Sequence, residues 1–252
     1  MMIDMALNGW ALFNGFSEMV IVLLGIFYFV KFMVDYGKYK KKLTPLLALL
    51  ALSLGSMHLG GAVAFLLRII ANIDITYITY GYLTYIPMPV GFVIAIYIAY
   101  EVFNPKLRKT MVAIHIILGI ALLVALIAFD RIPQMVAWIG TQTEEVPATT
   151  ETLVDANIQS AVGTIFTIFI VSAILALGFN FFQIRSKMNE DETLMRRKSL
   201  LLGLGWILWA LGEFFVKGQF DFIPPQIVIL PNSIIFTALV MIFLGFAPSK
   251  EL

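Results

Sequence analysis

Residues 199–217 read SLLLGLGWILWALGEFFVK, a stretch apolar enough to cross a bilayer that nevertheless holds an acid and a base. Trp206, Trp209, Glu213 and Lys217 follow at steps of three, four and four, so a helix lines all four up along one stripe. A charged group inside a spanning helix costs about 2.5–3.5 kcal/mol on insertion scales, so this stripe has to face protein or a wet cavity rather than lipid. The other apolar segments are then the wall around it.

Hydrophobic residues make up 60% of the chain and charged residues 13%, with a mean hydropathy of +0.93. Soluble domains carry roughly twice that charge. The expected fold is an all-α membrane protein, a seven-transmembrane helix bundle forming one heptahelical domain over 1–252. Segments of spanning length, about 20 apolar residues, fall at 9–32, 44–70, 77–102, 111–129, 158–182, 200–216 and 227–246. All but three of the 17 Lys and Arg lie at one end of these segments, the exceptions being Arg68, Arg131 and Lys217. Basic bias sets orientation, so the N-terminus is expected outside and the C-terminus cytoplasmic, with 130–157 as an acidic extracellular loop. The opening MMIDMALNGW has no basic n-region and carries Asp4, so the first helix is expected to remain rather than be cleaved.

With no cysteine, disulfides, thiolate catalysis and Cys-ligated metals are excluded. The formal charge of +1 gives no reason to expect nucleic acid as a partner, because the lysines and arginines are accounted for by topology and anionic headgroups. A bis-imidazole haem is set aside because His58 and His115 differ in depth by roughly 15 Å at 1.5 Å per residue. No nucleophile–base–orienter set or metal cluster emerges, so the chain is not expected to be an enzyme and no cofactor is implied.

The polar residues within the spans form the candidate ligand-binding set: Asn14, Glu18, His58, Arg68, Tyr82, Tyr85, Trp206, Trp209, Glu213, Lys217 and Asn232. Glu18 sits about ten residues into the first span, roughly 15 Å deep and near the midplane. Its reading is divided between a neutral carboxyl bonded to a neighbouring helix and a ligand or proton site. Arg68 and Glu213 each precede the outer end of an outward-running helix, so a structural salt bridge between them is expected. Pro87 and Pro89 free the carbonyls of Leu83 and Tyr85 and predict a kink in the third span; Pro231 beside Asn232 and Ser233 predicts a similar break in the seventh. Small residues Ser53, Gly55, Ser56, Gly60 and Gly61 predict close backbone packing in the second. The fourth span, with His115, reads as a packing or linker helix.

Spans one to three and five to seven run in the same directions, giving a 3+1+3 parallel repeat as a further expectation. Its signs are GIFYFVK at Gly25 against GFNFFQIR at Gly178, and SLG at Ser53 against GLG at Gly203. The layout is similar to that of the SWEET transporters, built from parallel repeats, and to that of heptahelical receptors. Ile227–Phe246 contains no lysine, so no retinal Schiff base forms there.

These features lead to a receptor-like sensor: an outer-half, aromatic-walled pocket takes a small polar or zwitterionic ligand, and a membrane or cytoplasmic partner protein reads the change at the basic end. A small-solute transporter and a non-catalytic anchor subunit of a larger membrane complex are the alternatives.

Overall fold

The structure, a computed structural model, describes residues 9–71, 73, 75, 77–129, 161–217 and 229–247, with side chains described at 12–71, 73, 75, 79–126, 165–215 and 230–247. The loop at 130–157, the acids in it and the Lys217 side chain lie outside these residues.

Every regular element among the described residues is helical. We number them α1 (Gly9–Tyr39), α2 (Thr44–Ser56), α3 (Leu59–Ala71), α4 (Tyr77–Tyr85), α5 (Pro87–Phe103), α6 (Pro105–Phe129), α7 (Ala161–Ala173), a π-helical turn (Ile174–Phe179), α8 (Asn180–Lys187), α9 (Thr193–Lys217) and α10 (Ile229–Phe246). Five helices are long and apolar enough to cross a membrane, six if the bent pair α2–α3 is one span, and the shorter apolar helix Leu230–Phe246 accompanies them. These are the helices of a multi-pass membrane protein. The exposed surface agrees: Phe27, Ile70 and Ile117 are each at least 60% exposed while the polar Asn14, Glu18, His58, Glu213 and Asn232 are buried. A soluble fold does the reverse.

The helices outrun the apolar segments at the basic end. α1 continues to Tyr39, supported by a Lys31–Asp35 pair at 3.1 Å, and stops where Lys40 takes a left-handed φ of 52°. α6 starts at Pro105, six residues before the apolar run, because proline at the first helical position loses no hydrogen bond.

Neighbours in the chain are neighbours in space, and α10 packs back on α1, so the helices close into a ring. Glycines set the tightest contacts. A Cβ on Gly25 would lie 2.8 Å from the Gly55 Cα, so α1 and α2 meet backbone to backbone. Gly205 and Gly212 press α9 onto α10, where a Cβ would come within 3.1 Å of the Ala238 carbonyl and 3.2 Å of the Pro231 carbonyl. Inside the ring, Trp206 stands edge-on to Trp209 (centroids 5.7 Å), Trp209 meets Phe92 (5.6 Å), and Phe92 stacks on Phe169 (4.6 Å).

The kink in the third span is present: α4 ends at Tyr85 and α5 begins at Pro87. The expected break at Pro231 is absent. Pro231 is the third residue of a helix that runs without interruption from Ile229 to Phe246, and in a first turn its missing N–H has no intrahelical acceptor to lose. The break that was not expected lies in the second span, where α2 and α3 meet at 52° across Met57–His58.

Candidate functional site

That break is made from small and self-bonding residues. Ser56 Oγ donates back to the Leu52 carbonyl at 2.7 Å, a contact that bends helices. The His58 N–H bonds to the Gly55 carbonyl at 3.1 Å, tightening the turn, before α3 restarts with Gly60 and Gly61 in its first turn. Neither glycine has room for a side chain: a Cβ on Gly60 would strike Thr84 Oγ1 at 2.2 Å, and one on Gly61 would sit 3.0 Å from Glu18 Cγ. Glu18 therefore lies against the first turn of α3, the positive end of that helix.

His58, released from a regular helix, reaches two acids. Its Nδ1 is 2.6 Å from Glu18 Oε2 on α1 and its Nε2 is 3.0 Å from Glu213 Oε1 on α9. All three residues are buried, with 4%, 1% and 0% of Glu18, His58 and Glu213 exposed. Each N···O contact requires a proton between its two atoms, so the set holds at least two protons. Hydrogen bonds to ionised groups are the strong ones, and both are made here without competing solvent.

A second polar group adjoins the first along α1. Asn14 lies one turn from Glu18, and its side-chain oxygen accepts from Asn232 Nδ2 on α10. The same Asn232 nitrogen is 2.8 Å from Ser17 Oγ, and Ser17 donates to the Asn14 carbonyl at 2.7 Å. Four segments are thereby tied at one level of the bundle: α1, the α2–α3 break, α9 and α10.

The remaining expected residues divide. Trp206 and Trp209 are fully buried on the same face of α9 as Glu213, as the three-four spacing requires. Tyr85 is buried at the end of α4 and Tyr82 is half-buried against the main core. Arg68 is half-buried near the end of α3. Glu213 meets His58 in addition to any contact with Arg68, a pairing the sequence did not foresee. His115 does more than pack: its Nε2 is 3.1 Å from Ser172 Oγ on α7 and its Nδ1 faces the Met111 carbonyl at 2.8 Å. Both histidines thus have both ring nitrogens engaged. Among the described residues, no group of three or more His, Asp and Glu has the arrangement of a metal site.

Ser17 and Ser172 lie outside the binding set expected from the sequence. Their signal is faint, because a serine in an apolar helix usually satisfies itself on the preceding turn, as both also do here. No protein-family model matches the chain, and no curated protein matches it.

Proposed function

We propose that the chain is a receptor-like sensor of the cell membrane, with seven spans, the N-terminus outside and the C-terminus cytoplasmic, which binds a small polar or zwitterionic ligand at its outer-half polar cluster and signals to a partner protein at its basic end. The observation that carries this reading is the Glu18–His58–Glu213 set. One imidazole joins α1 and α9 at the point where the second span is broken, so exchanging its partners changes how three segments are held. A ligand ammonium competes with the imidazole for a carboxyl group of the cluster, and Trp206 and Trp209 supply an apolar wall for the ligand body. The arrangement then has two states, closed on His58 or closed on the ligand, and the ligand selects one by its differential affinity.

The packing below the set favours a sensor over an open conduit. Ile21, Leu54, Met57 and Trp206 are buried to within 1% exposure.

Thermal unfolding of the detergent-solubilised protein with a panel of amino acids, betaines and alkylamines tests this reading. A ligand at a hundred times its Kd stabilises by about 2.7 kcal/mol. At least one member of the panel is expected to raise the midpoint of the wild type and to leave Glu213→Gln unmoved. A panel without effect on the wild type overturns the proposal.

A small-solute transporter with parallel three-helix repeats is the second reading, favoured by the broken span at the buried charges. The repeat has one further support: Gly25 meets Gly55, and Gly178 meets Gly203, each at a close crossing of the first two helices of its half. The register is imperfect, since the sequence match places Gly205, not Gly203, opposite Gly55. Uptake into proteoliposomes of a solute that stabilises the protein would select this reading.

A further inference from the structure

At the basic end, the termini of α1, α2, α5, α8, α9 and α10 leave a cavity of about 700 Å³. Its volume lies within the usual range of small-molecule sites, roughly 300–1,000 Å³. The interior is apolar, formed by Phe32, Leu47, Phe181, Leu202 and Phe246, and the mouth carries Lys41, Lys42 and Lys198; none of the described lining residues is acidic. Lys198 donates to the Ala247 carbonyl just beyond α10, and Lys41 and Lys31 lie within electrostatic reach of it. Lys31 has Asp35 at 3.1 Å. The three lysines at the mouth, Lys41, Lys42 and Lys198, have no acid between them among the described lining residues.

Topological bias explains lysines spread around the basic rim, facing headgroups. It does not explain a deep apolar bowl beneath them. An apolar interior closed by cations matches a molecule with an apolar chain and an anionic head. We propose that this cavity binds an anionic amphiphile, its acyl chain lying among Phe32, Leu47 and Leu202 and its carboxylate or phosphate at Lys41, Lys42 and Lys198. A free fatty acid and an anionic phospholipid share this chemistry. The inference needs only the membrane-spanning fold and stands whether the outer cluster senses, transports or does neither.

Native mass spectrometry of the full chain in detergent, offered oleate, phosphatidylglycerol or phosphatidylcholine at equal mole fraction, tests it. Oleate or phosphatidylglycerol is expected to be retained at least about tenfold over phosphatidylcholine. Retention of oleate alone identifies a free acid as the occupant; retention of phosphatidylglycerol identifies a lipid. Lys41→Gln with Lys42→Gln, both exposed, removes the head-group preference, and Leu47→Trp fills the bowl and lowers retention of the preferred amphiphile. Val102→Trp, at a half-exposed lining position, repeats the block without touching the core. Equal retention of phosphatidylcholine overturns the proposal. So does loss of binding in the lysine variant with full binding in both tryptophan variants, since the anion would then sit on the rim and the cavity would be empty of chain.

Discussion

Replacing His58 by alanine should destabilise the protein more than replacing all three members of its set. In His58→Ala the carboxylates of Glu18 and Glu213 lose contacts of 2.6 and 3.0 Å and remain buried. A hydrogen bond to a charged group contributes about 1.5–3 kcal/mol, and removing one partner of a buried ionic set costs about 3–5 kcal/mol because the charge left behind is uncompensated. We expect a loss of about 3–5 kcal/mol for His58→Ala on those grounds. The triple variant Glu18→Met, His58→Leu, Glu213→Met removes the charges together with their partner and keeps side chains of similar size. It should come within about 1–2 kcal/mol of the wild type, since apolar replacement of a whole buried ion set is often neutral. Reversible unfolding in mixed micelles, followed by tryptophan fluorescence, gives both values. A His58→Ala cost below about 1 kcal/mol, or a triple variant less stable than the single one, would refute the assignment of the set as mutually compensating charges.

Gly55→Ala places a Cβ 2.8 Å from the Gly25 Cα, a backbone atom that cannot swing aside, and should cost about 1–3 kcal/mol in the same unfolding assay; Gly37→Ala, with nothing within 4 Å, should be neutral or stabilising by up to about 1 kcal/mol. Trp209→Ala empties a fully buried site and should cost about 3–5 kcal/mol. Trp209→Phe should cost much less, because Nε1 has no hydrogen-bond partner among the described residues, and a loss as large as that of alanine would reveal one. Asn232→Val removes two contacts between helices, to Asn14 and Ser17, and at about 0.6 kcal/mol for each such bond in membranes should cost about 1 kcal/mol by chemical unfolding.

The sequence carried the class of fold and the membership of the polar cluster much further than it carried the partnerships. The stripe Trp206, Trp209, Glu213 was legible because a 3.6-residue period and the cost of charge in lipid are properties of one helix. Glu18, His58 and Asn232 could be singled out on the same ground. Their pairing could not, since nothing in the sequence joins His58 to both Glu18 and Glu213. The 52° bend at Met57–His58 is what sets the imidazole between α1 and α9, and counting residues along straight helices does not foresee it. The break contains no proline; it depends on Ser56 bonding backwards and on two acids arriving from α1 and α9, which are tertiary facts. Pro231 failed in the opposite way, because proline breaks a helix only where an N–H would have been used. The π-helical turn at Ile174–Phe179, which brings Gly178 to within 3.5 Å of the Gly203 carbonyl for a built Cβ, has no marker in composition.

If the polar cluster senses a ligand, the change has to travel through elements rather than through space. Trp206, Trp209, Phe92 and Phe169 fill the interior between the carboxylates and the basic end, and a close-packed aromatic core deforms little. What joins the two levels is continuous backbone. α1 carries Glu18 and, further along, Phe32 at the basic cavity; α9 carries Glu213 and, at its other end, Lys198 and Leu202. A rigid rotation or shift of either helix at the carboxylate level therefore appears at the cavity mouth, whereas α2 is uncoupled from α3 by the break and can follow α1 through the Gly25–Gly55 contact. An amphiphile in the cavity and a ligand at the polar cluster would then bias the same two helices. By linkage, each would alter the affinity of the other by the same factor, and the sign of that coupling separates a lipid that holds the closed state from one that favours the open state.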